Sequence, residues 1–267
     1  MDIELITKAA PGGSQSPPLL FVHGSGHAAW CWDEHFLEYF AASGFDAHAL
    51  SLRGHGGSAG RERLRWTGVA DYVDDVRSVA SGFGRMPVLL GHSLGGLVVQ
   101  KYLERFEAAG AVLVASSPAR GMFRRGLSLA CAHPLLFLGV YRALDPAVLF
   151  RTPSGARRFL FSPGLDDERV AAYAARMGPE SFRAMQEMTY LLPNVSGIRK
   201  RNCPMLVLGA SEDALVPPHE VEGTARAYGA PFGVFSSMGH DMMLEPGWEK
   251  VAERIRNWLR LGMEEPP

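Results

Sequence analysis

The stretch Met86-Pro-Val-Leu-Leu-Gly-His-Ser93-Leu-Gly-Gly-Leu-Val-Val-Gln-Lys-Tyr-Leu103 reads as a short apolar strand, a sharp turn and a helix, with a serine at the apex. It contains G-x-S-x-G in the strand-turn-helix context that gives the motif its meaning. The apex residue has to take a strained backbone conformation so that its hydroxyl stands at the carboxyl edge of a sheet. Gly91 and Gly95, two residues before and two after, leave room for that turn. Without its flanks the motif is weak; with them it predicts a nucleophile at Ser93.

Working outward, short apolar runs alternate with helix-like segments. Strands are predicted at Asp2–Thr7, Leu19–Val22, Phe45–Leu50, Pro87–Leu90, Ala111–Val114, Met205–Leu208 and Phe232–Phe235. Several are continuously apolar, as strands buried on both faces should be. Helices are predicted at Asp33–Ala42, Val69–Phe83, Leu94–Phe106, Pro218–Tyr228 and Gly247–Leu261, the last with a one-sided stripe of Val251, Ile255, Trp258 and Leu259. The alternation predicts an α/β fold: a mostly parallel sheet with helices on both faces. It fails between Val114 and Met205, where breakers recur at Pro134, Pro146, Pro153, Pro163, Pro179 and Pro193. This segment is expected to form a helical cap insertion over residues 118–200, leaving 1–117 and 201–267 as the core. The insertion holds 12 Lys+Arg against 6 Asp+Glu, whereas the rest of the chain is net acidic.

A serine hydroxyl is a poor nucleophile unless an imidazole takes its proton, and the imidazole needs a carboxylate to fix its tautomer and stabilise its cation. Of nine histidines, only His240 sits just past a predicted strand and downstream of the serine. His92, inside the turn, is expected to point away from the chemistry. The acid is sought after the strand at Met205–Leu208, where Glu212 and Asp213 compete. The tetrahedral intermediate needs two backbone N–H donors. Leu94, opening the helix after the nucleophile, would supply one. Ser25, in the loop His23-Gly-Ser-Gly-His-Ala-Ala-Trp-Cys-Trp32, would supply the other, with Gly24 and Gly26 permitting close backbone approach.

Five pieces in order, His23-Gly24, Leu52-Arg-Gly-His-Gly-Gly-Ser58, Gly91–Gly96, the Asp213 loop and Gly239-His240, make the chain resemble the α/β-hydrolase superfamily over nearly its whole length. The combination looks like the serine esterase and lysophospholipase-like branch, and His27-Ala-Ala-Trp-Cys-Trp is similar to a stretch in plant methylesterases and hydroxynitrile lyases. The resemblance implies a helical cap, a Ser93–His240–Asp213 triad without metal or other cofactor, and hydrolysis of a carboxylic ester through an acyl-enzyme on Ser93. It favours Asp213 over Glu212, because Asp-x-x-Val-Pro is the usual loop. Serine at the apex, in place of aspartate, argues against haloalkane dehalogenase and epoxide hydrolase chemistry. Ser51 departs from relatives that carry aspartate there, at a position that is structural. The same triad also serves lactonases, amidases, C–C hydrolases and hydroxynitrile lyases, and some proteins of this fold are ligand receptors.

Composition excludes other classes. The chain has 267 residues, 47% apolar and 21% charged, with a net charge of −1, so neither disorder nor a nucleic-acid partner is indicated. Cys31, Cys131 and Cys203 are far apart and odd in number, which suits a reducing compartment. With neither a signal-like start nor a long apolar span, a cytoplasmic protein without a stable membrane anchor is expected, acting on a small-molecule ester. Gly24-Ser-Gly-His-Ala-Ala29 mimics a dinucleotide fingerprint, but Asp46 begins its strand where a ribose-binding acid would end one. Substrate contacts are expected from Gly24 and Trp30 in the core and from Phe182, Met185 and Met188 in the cap. Unbranched methionines adapt to varied apolar ligands.

Overall fold

The computed structural model describes residues 2–263; residues 1 and 264–267 of the expected core lie outside it. Seven strands form one sheet: β1 (Leu5–Lys8), β2 (Leu19–Val22), β3 (Ala47–Leu50), β4 (Val88–His92), β5 (Gly110–Val114), β6 (Met205–Ala210) and β7 (Phe232–Phe235). Their order is β1-β3-β2-β4-β5-β6-β7, and every pairing is parallel except β1 with β3. All seven predicted strands occur. The first starts three residues later than predicted and is an antiparallel edge strand, so its half-exposed pattern blurs the apolar signal.

Strand residues alternate between two cores. Leu19, Phe21, Ala47, Val88, Val112 and Leu206 point to one face and pack on α1 (Trp30–Asp33), α2 (Phe36–Ala42) and α12 (Trp248–Arg260). Leu20, Val22, Leu89, Leu113 and Val207 point to the other and pack on α3 (Val69–Ala80), α4 (Leu94–Leu103) and α11 (Pro218–Tyr228). Each fully buried Leu or Phe in these layers contributes about 1.5–3 kcal/mol relative to exposure. Where one helix was predicted from Asp33, the chain makes two, because His35 breaks the helical backbone at φ −144° and ψ −47°.

No strand interrupts the segment between β5 and β6. It folds as α5 (Phe123–Ala132), α6 (Pro134–Ala143), α7 (Pro153–Phe159), α8 (Asp167–Arg176), α9 (Phe182–Tyr190) and α10 (Val195–Arg199), with a 3-10 turn at Pro146–Leu149. Prolines open α6 and α7, and Thr152, Asp166, Ser181 and Asn194 cap α7 to α10 with side-chain acceptors. Among the carboxylates that tie this segment to the core, Glu180 reaches furthest. Buried Glu180 accepts hydrogen bonds from Tyr72 Oη at 2.8 Å, Gly26 N at 3.2 Å and Ser181 N at 2.6 Å. His55 Nε2 lies 3.3 Å from it, an ion-pair distance whose geometry falls short of a hydrogen bond.

Candidate active site

Ser93 sits between β4 and α4 at φ 51° and ψ −116°, a region that costs a side-chain-bearing residue about 1–3 kcal/mol. The turn closes only because its flanks lack side chains. A Cβ on Gly91 would lie 2.5 Å from the Gly95 carbonyl oxygen, and one on Gly95 would lie 2.4 Å from the carbonyl oxygens of Val22 and His23. Hydrogen bonds from Ser93 N to Val114 O (3.2 Å) and from Ser117 N to Ser93 O (3.1 Å) hold the strained turn against the end of β5. The seryl side chain is left half-buried, at the floor of a cavity.

Asp213 follows β6 and is buried, while its neighbour Glu212 is exposed. Asp213 Oδ1 accepts from the backbone N–H groups of Leu215 (2.7 Å) and Val216 (2.8 Å), which leaves Oδ2 for His240 Nδ1 at 2.8 Å. Because the carboxylate can only accept, Nδ1 carries the proton and Nε2 is the basic nitrogen. Burial opposes a charge on His240, but Asp213, by charge and hydrogen bond, outweighs it together with Asp241 and raises its pKa above the ordinary histidine range. Ser93 and His240 line the same cavity, with no hydrogen bond between them.

The predicted backbone donors, Ser25 N and Leu94 N, donate to nothing among the described residues. Gly26 N, by contrast, is committed to Glu180. Gly24 packs so close to the nucleophile that a Cβ there would meet His92 Nδ1 at 2.6 Å and Ser93 Cβ at 3.0 Å.

The cavity encloses about 330 Å³ and is roofed by α5, α6 and α9; Leu129, Phe137, Leu149, Met185, Met188 and Leu215 make its walls apolar. Three of the expected substrate contacts are corrected. Gly24 serves the backbone fit just described and does not line the cavity. Trp30 is turned away onto α8, where its ring stacks with Tyr173 at 6.1 Å and carries the Arg176 guanidinium at 4.0 Å. Phe182 packs edge-on against Tyr141 at 5.6 Å, outside the lining. The insertion's arginines do not face the cavity either: Arg157, Arg169 and Arg183 pair with carboxylates of the insertion itself, and Arg176 pairs with Glu34 of the core.

A second correction adds residues. His92 does not point away; its ring lies 4.7 Å from that of His240, and its Nε2 donates to the His240 carbonyl at 3.1 Å. Burial, then the neighbouring His240, pushes its pKa down to about 3, so it is a neutral neighbour. His27 and Asp241, which sequence reasoning passed over, form a buried pair at 2.9 Å in the cavity floor. The signal available was Asp241 itself, a carboxylate set in the apolar run Met238-Gly-His-Asp-Met-Met-Leu244, where burial demands a partner. Among the described residues, His92, His240 and Asp241 also have metal-like proximity, their donor atoms within 4.8 Å of one another, yet His92 Nε2 and His240 Nδ1 are engaged as above.

Asp46, the acid of the dinucleotide-like pattern, accepts a hydrogen bond from Ala10 N at 2.9 Å and takes part in chain packing.

The chain is similar to a monoacylglycerol lipase of Mycolicibacterium smegmatis, 24% identical over 84% of this chain and 81% of the relative. It is similar to a pheophorbidase of Raphanus sativus, 35% identical over 74% and 77%. A solved thermophilic esterase from Thermogutta terrifontis superposes with a TM-score of 0.74, covering 98% of this chain and 94% of that one at 21% identity, a likeness of fold. The family model described as "Alpha/beta hydrolase family" matches residues 19–254. A mostly parallel sheet carrying a serine at a strained strand-helix turn, and a match spanning most of its length, make this chain a member of the alpha/beta hydrolase family.

Proposed function

We propose that the protein is a serine hydrolase that cleaves carboxylic esters with an apolar acyl or alcohol part. The observation that carries this reading is the 2.8 Å hydrogen bond from His240 Nδ1 to Asp213, which leaves the basic nitrogen of His240 for Ser93 on the floor of an apolar cavity. His240 takes the proton from Ser93 Oγ as it bonds to the ester carbonyl carbon. The oxyanion is held by Ser25 N–H and Leu94 N–H, donors otherwise uncommitted. Collapse of the intermediate expels the alkoxide, which receives the proton from His240, and leaves an acyl-enzyme. Water, deprotonated by His240, repeats the sequence and releases the acid.

Residues 118–200 act in this reading as a cap that roofs the site, on a core of 1–117 and 201–267. The lipase and esterase activities named for the relatives support ester chemistry over the lactone, amide or C–C alternatives. Unpaired Cys31, Cys131 and Cys203 support a cytoplasmic location.

The test is covalent labelling with an alkyl fluorophosphonate alongside turnover of p-nitrophenyl esters from acetyl to dodecanoyl. One adduct per chain on Ser93, abolished in Ser93→Ala together with turnover, is expected. Labelling of another residue, or a labelled protein that turns over none of these esters, would overturn the reading.

A further inference from the structure

The hairpin of α5 and α6 has the surface of neither a packed nor a solvated helix pair. Phe123, Leu127, Leu135, Leu138 and Tyr141 are each more than half exposed, Leu135 to 82%. The two helices together bury only Val140. Single exposed apolar residues need no explanation, but five on two successive helices form a patch that water solvates poorly.

The charge of the hairpin is equally one-sided. From residue 118 to residue 144 the chain carries Arg120, Arg124, Arg125 and Arg142 and no aspartate or glutamate. Arg120 is paired with Glu220, and Arg125 donates to the Ala214 carbonyl. Arg124 and Arg142 are exposed, with no charged partner among the described residues. Helical spacing sets Arg142 on the face of Leu135 and Leu138, and Arg124 beside Leu127. The chain's overall charge of −1 conceals this local cation.

Phe123, Leu127 and Tyr141 are exposed and also line the cavity, so that part of the patch borders the cavity mouth, while Leu135 and Leu138 stand outside the lining. Each helix has ten residues, about 15 Å in length, against a hydrocarbon thickness of about 30 Å. The pair bends by 111°, and no single helix is long and apolar enough to cross a membrane.

We propose that the α5–α6 hairpin is a docking surface for a lipid bilayer carrying anionic headgroups. The apolar side chains enter the headgroup boundary, Arg124 and Arg142 meet lipid phosphates, and the cavity mouth opens toward the acyl chains. An apolar ester then reaches Ser93 without crossing water, a consequence that rests on the hydrolase reading; the docking itself does not. A second copy of the chain fits this face poorly, because a two-fold contact would set arginine against arginine with no carboxylate between them.

The test is flotation of the full chain with vesicles of phosphatidylcholine alone or with one third phosphatidylglycerol. Binding to the anionic vesicles should exceed binding to the neutral ones by about tenfold, and should fade as salt shortens the Debye length from about 10 Å at 0.1 M to about 3 Å at 1 M. The double variant Leu135→Glu, Leu138→Glu should lose binding by about tenfold or more while turning over a short water-soluble ester within about twofold of the parent. Arg124→Gln with Arg142→Gln should remove the preference for phosphatidylglycerol. Ser93→Ala should float like the parent, so a failure of the ester reading leaves the docking measurable. No flotation of the parent, or equal flotation of parent and double-Glu variant, would overturn the proposal. So would a dimer in light scattering that the double-Glu variant dissolves, which would assign the face to a second copy.

Discussion

His27 and Asp241, 214 residues apart in the chain, meet side chain to side chain at 2.9 Å with both groups buried. The other ring nitrogen of His27 faces the Ser25 carbonyl at 3.0 Å, so the ring is held between the Asp241 carboxylate and the backbone of its own loop. The pair joins the loop that presents Ser25 N–H to the loop that presents His240. Burial opposes the charge on Asp241, but His27, with His92 and His240, outweighs it and holds the carboxyl below its usual range.

His27→Gln and Asp241→Asn should therefore each loosen the placement of Ser25 N–H against His240. A roughly tenfold to hundredfold loss in kcat with a small change in KM is expected, since about 1 Å of misplacement can cost about 10²-fold. The two variants should be strongly non-additive in a double-mutant cycle. Additive losses, or losses confined to KM, would break the proposed link between the two loops.

The acid-base assignment makes a signed prediction. His240 must be neutral to take the serine proton, so kcat/KM should rise with pH through an ionisation above the ordinary histidine value of about 6.5. Asp213→Asn removes the main raising influence and leaves burial opposed only by Asp241, so the rise should move to lower pH while the plateau falls by roughly 10⁴. Glu212→Gln should change neither. An acid limb that follows Glu212 and ignores Asp213 would transfer the role between them.

Chain-length preference tests the cavity. Each methylene buried against Leu129, Phe137 and Met188 contributes about 0.8 kcal/mol, roughly a fourfold gain in kcat/KM per methylene until the cavity is full. Octanoyl esters should therefore beat acetyl esters. Met185→Trp should lower octanoyl turnover by at least about tenfold and leave acetyl turnover nearly unchanged. Equal kcat/KM across chain lengths in the parent would show that the acyl chain lies elsewhere.

The Glu180–His55 pair predicts how stability depends on pH. Burial opposes both charges, but each group outweighs it for the other, lowering the pKa of Glu180 and raising that of His55. The pair's stabilisation is present between those two values. It is lost as pH falls through the depressed pKa of Glu180 and as pH rises through the elevated pKa of His55. Glu180→Gln should cost about 3 kcal/mol in urea unfolding at pH 6, with a smaller difference from the parent well above the histidine range. A pH-independent difference would show that hydrogen bonding alone accounts for the role of Glu180.

The strands and the turn at Ser93 were legible because their signals are local: apolar runs for a sheet covered on both sides, and two glycines where a Cβ has nowhere to go. Asp213 and His240 were legible because each lies a few residues past a strand end. His27 with Asp241, and Glu180 with Tyr72 and His55, were not, since a buried ion pair between distant loops leaves no periodicity in the chain. Trp30 and Phe182 misled for the opposite reason. Trp30 beside the oxyanion loop and Phe182 in the apolar helical stripe of Met185 invite assignment to a pocket, yet their large surfaces are as well satisfied by Tyr173 and Tyr141.

Buried carboxylates also divide the insertion into parts unequally fastened to the core. From α7 to α9 the segment is fastened by several carboxylates: Glu180 holds Tyr72 of α3 and the Ser25 loop, Glu187 accepts from Val69 N at 2.6 Å, and Glu245 of the core accepts from Ser162 Oγ at 2.8 Å, so displacing it would disturb the loop of the oxyanion donor. The α5–α6 hairpin, almost without buried side chains, is tied to the core by the Arg125 hydrogen bond to the Ala214 carbonyl and by no buried carboxylate among the described residues. Sequence drift there could remodel the roof of the cavity, and with it substrate preference, while the catalytic geometry beneath stays under separate constraint. The fold thus offers selection an exchangeable part beside a fixed one.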